Sequence, residues 1–521
     1  MAPLNLMANK RVVVFCLFVA FGGFLFGYDI GVLAGLLIQP DFIMRFGEDD
    51  GTGTYFLSAN RQSIITSLLS AGTFFGALSQ AFTSDRFGRK GSIFIWSAIF
   101  TVGVAIQTGS ECSLVQITVG RFVAGLGVGA MSAIVPLYNG EAAPKALRGF
   151  LLVFYQVQII TGIFISYILV YAVHKVPGSA AWRVPVGLQL LFGLILCGGI
   201  LFLPESPRLL LGKGREEEAR KAISLLNNCS IDDPTVQEEI DDLNYGLAEE
   251  NEGGKATWLE CFSTRNVLWK RTLNGIMLQF IQQLNGQNFY YYYGPTFFKN
   301  SGTELDSYQI QLILGAVSLI ATFPSLWLID RMGRRKMLLW GAVLEASCAL
   351  IAGLAGHFTA ADPGAALTSK NRAGGGVLIA FAVLHIMLFS LLWGPTPWVY
   401  LGESFPLRVR PKAIALGTAS NWFWNFMLSY FSPKIAAQIG PLILLVFTGV
   451  LIFGTFYVYF MVPETKGLSL EEVDAMWQSG VKPWNSTKWV PPAHLSEETI
   501  KNEKGEVVHV EKKKRAPVMF H

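Results

Sequence analysis

Long apolar runs alternate with short polar segments along most of this chain. A helix needs roughly 20 mostly apolar residues to cross the hydrocarbon core of a bilayer, and twelve stretches satisfy this requirement. The pattern therefore predicts an all-α membrane protein with twelve transmembrane helices, numbered below as spans 1–12. Their predicted ranges are 12–37, 61–83, 92–109, 113–137, 149–172, 184–203, 271–298, 308–329, 337–357, 377–402, 412–433 and 441–462.

The composition supports a membrane protein and excludes several other classes. Hydrophobic residues make up 52% of the 521 residues and charged residues 15%, whereas a soluble domain carries about 25% charged residues. Intrinsic disorder and nucleic-acid binding are thereby excluded, and a net charge of +4 is too small to indicate a polyanionic partner. The six cysteines lack paired spacing, so the sequence predicts neither a disulfide framework nor a metal site. The partner that this composition requires is the lipid bilayer.

Charged loops indicate the orientation in the membrane. Basic residues fill the loops that follow spans 2, 4 and 8, whereas the loop after span 1 is acidic. By the positive-inside rule, both termini face the cytosol. The C-terminal tail is predicted to be disordered or loosely associated with the membrane. The predicted divisions are a cytosolic N-terminal tail (1–11), an N-terminal six-helix bundle (12–203), a cytosolic linker of short amphipathic helices (204–269), a C-terminal six-helix bundle (270–462) and a cytosolic C-terminal tail (463–521).

The two halves of the chain repeat each other. Three short motifs occur once in each half and in the same order. Six spans, a linker and six further spans predict two pseudo-symmetric bundles that rock about a central site. The repeated pairs are 85–90 (DRFGRK) with 330–335 (DRMGRR), Glu141 and Arg148 with Glu403 and Arg410, and 204–206 (PES) with 463–465 (PET).

In these motifs the chain resembles the sugar porters of the major facilitator superfamily, and among them the fungal monosaccharide (hexose) transporters. The resemblance covers roughly residues 12–470 and rests on the paired DRxGRR/K motifs, PESPR at 204–208, QQLNGQN at 282–288 and PETKG at 463–467. It implies the major facilitator fold, a multi-pass location in the plasma membrane, and import of a monosaccharide by alternating access. The substrate would be a hexose such as glucose, or a pentose. We expect the protein to act as a monomer without a cofactor.

Amide side chains form one polar stripe in span 7 and another in span 11. A sugar site needs hydrogen-bonding side chains around a wet cavity and an aromatic wall for the sugar ring. Amides also join helices without binding anything, but two such stripes favour a sugar site. The stripes contain Gln279, Gln282 and Gln283 in span 7, and Thr418, Asn421, Asn425 and Ser429 in span 11. The resemblance implies Gln156, Gln282, Gln283, Asn288, Trp398 and Asn421 as sugar ligands, Phe26 as part of the ring wall, and Tyr292 and Tyr293 as an outer gate.

Two positions depart from the animal facilitators of this family. Ser318 stands in span 8 where they have an Asn, and Ser390 stands in span 10 where they have a Glu. The sugar site is therefore not of the animal type in detail, and the sugar preference of those proteins does not carry over to this chain.

Asp29 stands alone in the otherwise apolar span 1. A charge at the centre of a membrane helix costs at least about 2.5–3.5 kcal/mol, so a carboxylate there either takes up a proton or pairs with a cation. Arg121, the lone charge of span 4, is the obvious partner. The resemblance matches this pair to the coupling pair of proton-linked sugar porters, which favours symport with a proton as co-substrate. Uncoupled uniport stays open, because yeast-type facilitators keep the same Asp and the pair can simply hold span 1 against span 4.

Charged residues at the predicted cytosolic ends of the spans are matched between the halves. The positive-inside rule explains the Arg residues but not the Glu and Asp residues matched with them. We expect ion pairs between the two halves to close an inner gate and to break in the inward-facing state. The predicted gate residues are Asp85, Arg89, Glu141, Arg148, Asp330, Arg334, Glu403 and Arg410.

Enzymatic activity is not expected from this sequence. No Cys, His and Asp residues have the spacing of metal ligands or of a catalytic triad, and no GxxxxGK[ST] motif for ATP-driven pumping occurs. The remaining alternative is a non-transporting sugar sensor, since fungal glucose sensors share this fold. Those sensors carry a much longer cytosolic tail than 463–521, which argues against this alternative.

Overall fold

Helices dominate the structure, which is a computed structural model. Helix occupies each of the twelve predicted ranges, so the prediction of a helical membrane protein with many spans is confirmed. The structure describes residues 10–143, 148–251, 257–300, 305–359, 368–406, 408–468, 470–491, 497–501 and 507–511.

The N-terminal half supplies spans 1–6. One helical run holds spans 2 and 3, and it bends at Gly88, whose φ of 83° lies in the left-handed region that favours glycine. Gly333 occupies the corresponding bend between spans 8 and 9. The helices are Lys10–Leu36 (span 1), Ala59–Thr108 (spans 2 and 3), Leu114–Ala142 (span 4), Arg148–Val173 (span 5) and Ala180–Ile200 (span 6).

The C-terminal half supplies spans 7–12, of which two are interrupted. Span 7 breaks between residues 283 and 287, and span 10 passes through a π-helical turn before it resumes. Such irregular backbone is tolerated at membrane depth where it is buried in protein or lines a cavity. The helices are Leu268–Gln283 and Gln287–Asn300 (span 7), Ser307–Met332 (span 8), Arg334–Phe358 (span 9), Ser369–Leu388, Phe389–Trp393 and Thr396–Glu403 (span 10), Arg410–Ile439 (span 11) and Ile443–Met461 (span 12).

Among the described residues, nine helical segments are long and apolar enough to cross a membrane. This number agrees with twelve spans for three reasons. The segment Arg410–Met461 holds both span 11 and span 12, span 7 is divided into two short helices, and span 2 carries many Ser and Thr residues.

Short elements connect the spans. The turns that follow odd-numbered spans gather at one end, called here the loop end; the opposite end, which carries 85–90 and 330–335, is called the motif end. The short helices are Pro40–Phe46, Pro207–Gly212, Glu216–Asn227, Pro234–Asn251 and Leu470–Gln478, with 3₁₀ turns at Leu259–Phe262, Arg265–Val267, Gly440–Leu442 and Pro483–Lys488. Glu48–Asp49 pairs with Tyr55–Phe56, and Glu497–Lys501 pairs with Val507–Glu511, both antiparallel.

The C-terminal tail differs from its prediction. Glu464 and Val473 are buried against the C-terminal half, and Asp474 forms an ion pair with Arg271 of span 7 at 2.7 Å. The expectation of disorder or loose membrane association is therefore wrong for the first part of the tail. Composition revealed the high charge of this segment but not the buried partners that hold it in place.

Gly286 allows the break in span 7. Its φ is 103°, and a Cβ atom placed there would lie 2.9 Å from the Phe447 ring. Both the backbone conformation and the close approach of span 12 therefore require glycine at this position. Beyond the break, Tyr292 and Tyr293 of the second half of span 7 lie against span 11.

We predict that Gly286→Ala destabilises the protein by roughly 1–2 kcal/mol, because an L-residue in left-handed backbone is strained. Thermal unfolding of the purified protein in detergent measures this effect. Gly449→Ala is the matched control, since a Cβ atom there meets nothing within 4 Å. Equal melting temperatures for Gly286→Ala and the unmodified protein would contradict this account of the break.

Candidate functional site

The amide stripes of spans 7 and 11 face each other. Asn421 Nδ2 donates to Gln279 Oε1 at 2.7 Å and to Gln282 Oε1 at 3.2 Å, and Asn425 Nδ2 donates to Gln283 Oε1 at 2.9 Å. All five side chains are buried. Their amides therefore lie against protein rather than lipid and bond to one another, while Gln279 Nε2 is left without a partner among the described protein atoms. We call these five residues, together with Asn288, the amide cluster.

The break in span 7 and the break in span 10 both contribute to the amide cluster. Asn288, just after the first break, donates to Gln283 Oε1. Gln282 Nε2 donates to the backbone oxygens of Trp393 and Gly394, at 3.1 and 2.8 Å. The carbonyl groups released where span 10 leaves regular helix thus find a donor in the amide cluster.

Three hydroxyl groups bind the amide cluster or the part of span 11 beside it, and that of Ser70 connects the cluster to the N-terminal half. Ser70 of span 2 donates to Asn425 Oδ1 at 2.7 Å, and Tyr292 donates to the same oxygen at 3.2 Å. Tyr293 donates to the backbone oxygen of Ser429 at 2.6 Å. The two predicted gate tyrosines therefore lie on span 11 beside the amide cluster. Sequence reasoning missed Ser70, because span 2 holds many Ser and Thr residues and no pattern singles one out.

Aromatic side chains meet beside the amide cluster. The rings of Phe26 and Trp422 lie edge to face with centroids 5.2 Å apart, and the Trp422 indole donates to Ser132 Oγ at 3.2 Å. Span 11 thus contacts spans 1 and 4 of the other half. Trp398 is 37% exposed and lies one turn beyond Gly394.

Gln156, like Trp398, is a predicted ligand that stands apart from the amide cluster in this conformation. It is half-buried on span 5, and no hydrogen bond between described residues joins it to the amide cluster.

The two serines that depart from the animal pattern are in contact with each other. The hydroxyls of Ser318 and Ser390 lie 2.8 Å apart, and the Tyr291 hydroxyl lies 2.7 Å from that of Ser318.

Asp29 and Arg121 form the predicted buried pair. Arg121 Nη2 lies 3.4 Å from Asp29 Oδ2, and both side chains are almost fully buried. Arg121 also contacts Gln107 Oε1 at 3.5 Å. Asp29 Oδ1 and Arg121 Nε have no partner among the described protein atoms. A buried ion pair offsets its desolvation only when the geometry is excellent, so this long pair holds spans 1 and 4 together weakly.

A charge network occupies the motif end of the N-terminal half. Arg89 binds Glu141 through two nitrogens, at 3.0 and 2.9 Å, and Ser206 donates to the same carboxylate. Glu205 accepts from the backbone N–H groups of Arg89 and Lys90, at 3.0 and 3.2 Å. The Glu205 carboxylate thus caps the start of span 3, just after the bend at Gly88, where backbone N–H groups lack helical partners.

The C-terminal half carries the same network. Arg334 binds Glu403 through two nitrogens, at 3.0 and 2.7 Å, and Thr465 donates to this carboxylate at 2.8 Å. Glu464 accepts from the backbone N–H groups of Arg334 and Arg335. The repeat seen in the sequence is therefore a repeat of contacts, and the PES and PET motifs supply the carboxylate and hydroxyl that complete each network.

The predicted inner-gate charges pair within each half in this conformation, and the expected ion pairs between the halves stay a prediction. Arg89 pairs with Glu141 and Arg334 pairs with Glu403, so both ion pairs lie within one half instead of joining the halves. Sequence matching identified the pairs of charges but not which spans are neighbours. Asp85 and Asp330 stay exposed and lie 3.9 and 3.2 Å from the same arginines. The side chain of Arg148 lies outside the described residues, and Arg410 is half-buried at the first turn of span 11.

Two matched helical halves around a polar cluster, with one repeated charge network at the end of each, define a membrane transporter of the two-bundle type. The family model "Sugar (and other) transporter" matches residues 15–477, and the chain belongs to this family. It is therefore a transporter and not an enzyme.

Yeast hexose transporters are similar to this chain over most of their length. The low-affinity glucose transporter HXT4 of Saccharomyces cerevisiae is 40% identical over 485 residues, which cover 93% of this chain and 84% of that protein. The galactose transporter of the same yeast is 40% identical over 480 residues, covering 92% and 83%. Among solved structures, the proton:xylose symporter XylE bound to 6-bromo-6-deoxy-D-glucose gives a TM-score of 0.73 at 23% identity, covering 90% and 99%. This likeness confirms the predicted major facilitator fold.

We predict that Glu403→Ala lowers the free energy of unfolding by about 2–3 kcal/mol, because it leaves the Arg334 charge buried without its bidentate partner. Asp330→Ala is the matched control. Its side chain is 77% exposed, so the loss of this partner costs at most about 1 kcal/mol. Thermal unfolding of the purified variants compares the two changes, and equal losses would show that the buried pair is no stronger than the exposed one.

Proposed function

We propose that the protein imports a monosaccharide, a hexose such as glucose or a pentose, across the plasma membrane by alternating access. The observation that carries this proposal is the amide cluster, which is buried between spans 7 and 11 and hydrogen-bonded to the N-terminal half through Ser70. Glucose, galactose and xylose occur in the names of the similar transporters described above. Gln156, Trp398 and Phe26 are proposed to reach the sugar once the halves rearrange.

The amide cluster suits a sugar because its bonds are exchangeable. Each amide here donates to or accepts from another side chain, and a sugar hydroxyl both donates and accepts. A bound sugar therefore replaces protein–protein hydrogen bonds one for one, which avoids unsatisfied buried groups. Asn425 Oδ1 accepts from Ser70 of one half and Tyr292 of the other. A sugar hydroxyl that competes for this oxygen would loosen the contact between the halves.

The loop end joins the halves as well. Tyr308 of span 8 donates to Gln39 Oε1 at 2.8 Å, and His174 lies 3.8 Å from Asp306 across the same boundary. We place this end outside the cell and the motif end, with both termini, in the cytosol, because Arg and Lys residues concentrate at the motif end. Closure at Tyr292, Tyr293 and Tyr308 then corresponds to an outer gate in its shut state.

We further propose that transport is coupled to a proton through Asp29 and Arg121. Their long contact and the unpartnered Asp29 Oδ1 favour a pair that opens during the cycle. An Asp that loses its cation inside a membrane protein takes up a proton. The alternative is an uncoupled uniporter, in which the pair only holds span 1 against span 4. The protein is proposed to act as a monomer.

We predict that Gln283→Ala raises the KM for uptake at least about tenfold, because it removes the acceptor shared by Asn288 and Asn425. Uptake of labelled monosaccharides by cells that lack their own hexose transporters measures this change. Gln237→Ala, on the exposed linker helix Pro234–Asn251, is the control and keeps the original KM. An unmodified protein that reaches the plasma membrane but takes up no monosaccharide would contradict the proposed function.

We predict that Asp29→Asn abolishes uphill sugar accumulation but retains sugar exchange between preloaded vesicles and medium, because the amide cannot take up and release a proton. Accumulation in cells with and without a protonophore measures the coupling. Accumulation by the variant at the level of the unmodified protein would contradict symport. Sugar entry that only equilibrates, and that a protonophore leaves unchanged in the unmodified protein, would identify a uniporter.

A further inference from the structure

A second acidic residue lies inside the membrane-spanning part of the protein. Glu345 stands halfway along span 9 and is completely buried. Asn285, in the break of span 7, donates to Glu345 Oε2 at 3.1 Å. The other end of the same amide, Asn285 Oδ1, accepts from the backbone N–H of Gln287 at 3.0 Å. A carboxyl group on span 9 thus anchors the break that positions part of the amide cluster.

The surroundings of Glu345 favour a neutral carboxyl group. Among the described residues, no Lys or Arg lies within ion-pair distance of it. An ionised carboxylate that is buried without a cation is strongly disfavoured, so the group retains its proton. This situation differs from that of Asp29, which has Arg121 beside it.

His385 of span 10 faces the same interior. Its Nδ1 lies 3.2 Å from the backbone oxygen of Glu345. A carbonyl oxygen only accepts, so Nδ1 carries the ring proton and Nε2 is left as an acceptor. His385 Nε2 and Glu345 Oε1 are both buried without a partner among the described protein atoms. The contact between the two residues runs through the backbone oxygen of Glu345, and the acid O–H donor and the imidazole acceptor each have one hydrogen bond still to make.

The remaining titratable groups around this site do not supply a counter-charge. Tyr290 packs its ring on His385, with centroids 5.5 Å apart, and Cys348 lies one turn beyond Glu345 on span 9. Span 12 packs along span 9, and its titratable residues are Tyr457 and Tyr459 near the motif end. Each of these groups is neutral when protonated, so none replaces a cation.

We propose that Glu345 is a protonated carboxylic acid that binds Asn285 through its side chain and His385 through its backbone oxygen, forms a proton-binding site separate from Asp29, and fixes the break in span 7. The site acts on the sugar only through Asn288 and Tyr292, whose positions the break determines. Glu345 is thus a positioning residue whose proton is held and not transported. The effect on sugar affinity rests on the proposed function, whereas the protonation of Glu345 does not.

Infrared spectroscopy of the purified full-length protein tests the protonation. The C=O stretch of a protonated carboxylic acid is separate from that of a carboxylate, and we expect such a band in the unmodified protein and its loss in Glu345→Gln. The band should persist in Asp29→Asn, which serves as the matched control for another buried acid. Identical acid bands in the unmodified protein and Glu345→Gln would overturn the proposal, whether or not the protein transports sugar.

Uptake kinetics test the positioning role. Asn285→Ala and Glu345→Ala are expected to raise KM about tenfold and to keep Vmax within about twofold of the unmodified protein. Each removes the hydrogen bond between Asn285 and Glu345 that holds the interrupted part of span 7 in place. Glu345→Gln should restore the original KM, since a neutral amide still offers an oxygen to Asn285. Ser347→Ala, on the lipid-facing side of span 9, is the control. An unchanged KM in Asn285→Ala would overturn this role even where Glu345→Ala fails to reach the membrane.

Discussion

The absence of water from the bilayer core is the constraint on which the rest of this structure depends. Burying a polar side chain there is costly unless the side chain finds a partner within the protein. Gln282, Gln283, Asn421 and Asn425 meet this demand by bonding to one another and to nearby backbone oxygens. The same arrangement makes them available to a polar ligand, because their partners are neutral groups that a hydroxyl can replace without leaving a charge exposed to lipid.

The interruptions in spans 7 and 10 bring these polar groups together. A regular helix satisfies its own backbone and leaves only side chains to act. Span 10 releases the carbonyls of Trp393 and Gly394, which accept from Gln282, and span 7 releases the N–H of Gln287, which donates to Asn285. Irregular backbone in a membrane protein therefore marks a functional region, since the freed groups need polar partners that would otherwise be too costly to bury.

The sequence allowed the fold to be predicted more fully than the contacts. Span positions and the internal repeat follow from hydropathy and motif spacing, and both agree with the structure. The amides of spans 7 and 11 stood out because their spacing placed them on one helical face. Ser70 carried no such signal. Glu345 did carry such a signal, because it is the only acidic residue of span 9, just as Asp29 is the only acidic residue of span 1. Its partners Asn285 and His385 depend on which spans are neighbours, and a pattern along the chain does not contain that information.

Among the described residues, strong ion pairs hold each half together, whereas weaker neutral hydrogen bonds join one half to the other. Bidentate ion pairs such as Arg89–Glu141 and Arg334–Glu403 lie within a half, where they hold neighbouring helices as one body. Neutral hydrogen bonds such as Ser70–Asn425 and Tyr308–Gln39 cross between the halves. Each neutral bond contributes only about 0.5–1.5 kcal/mol net, so a few ligand contacts suffice to shift the balance between two arrangements. Rigid halves joined by weak contacts are what a rocking mechanism requires, because motion then breaks the bonds that cost least.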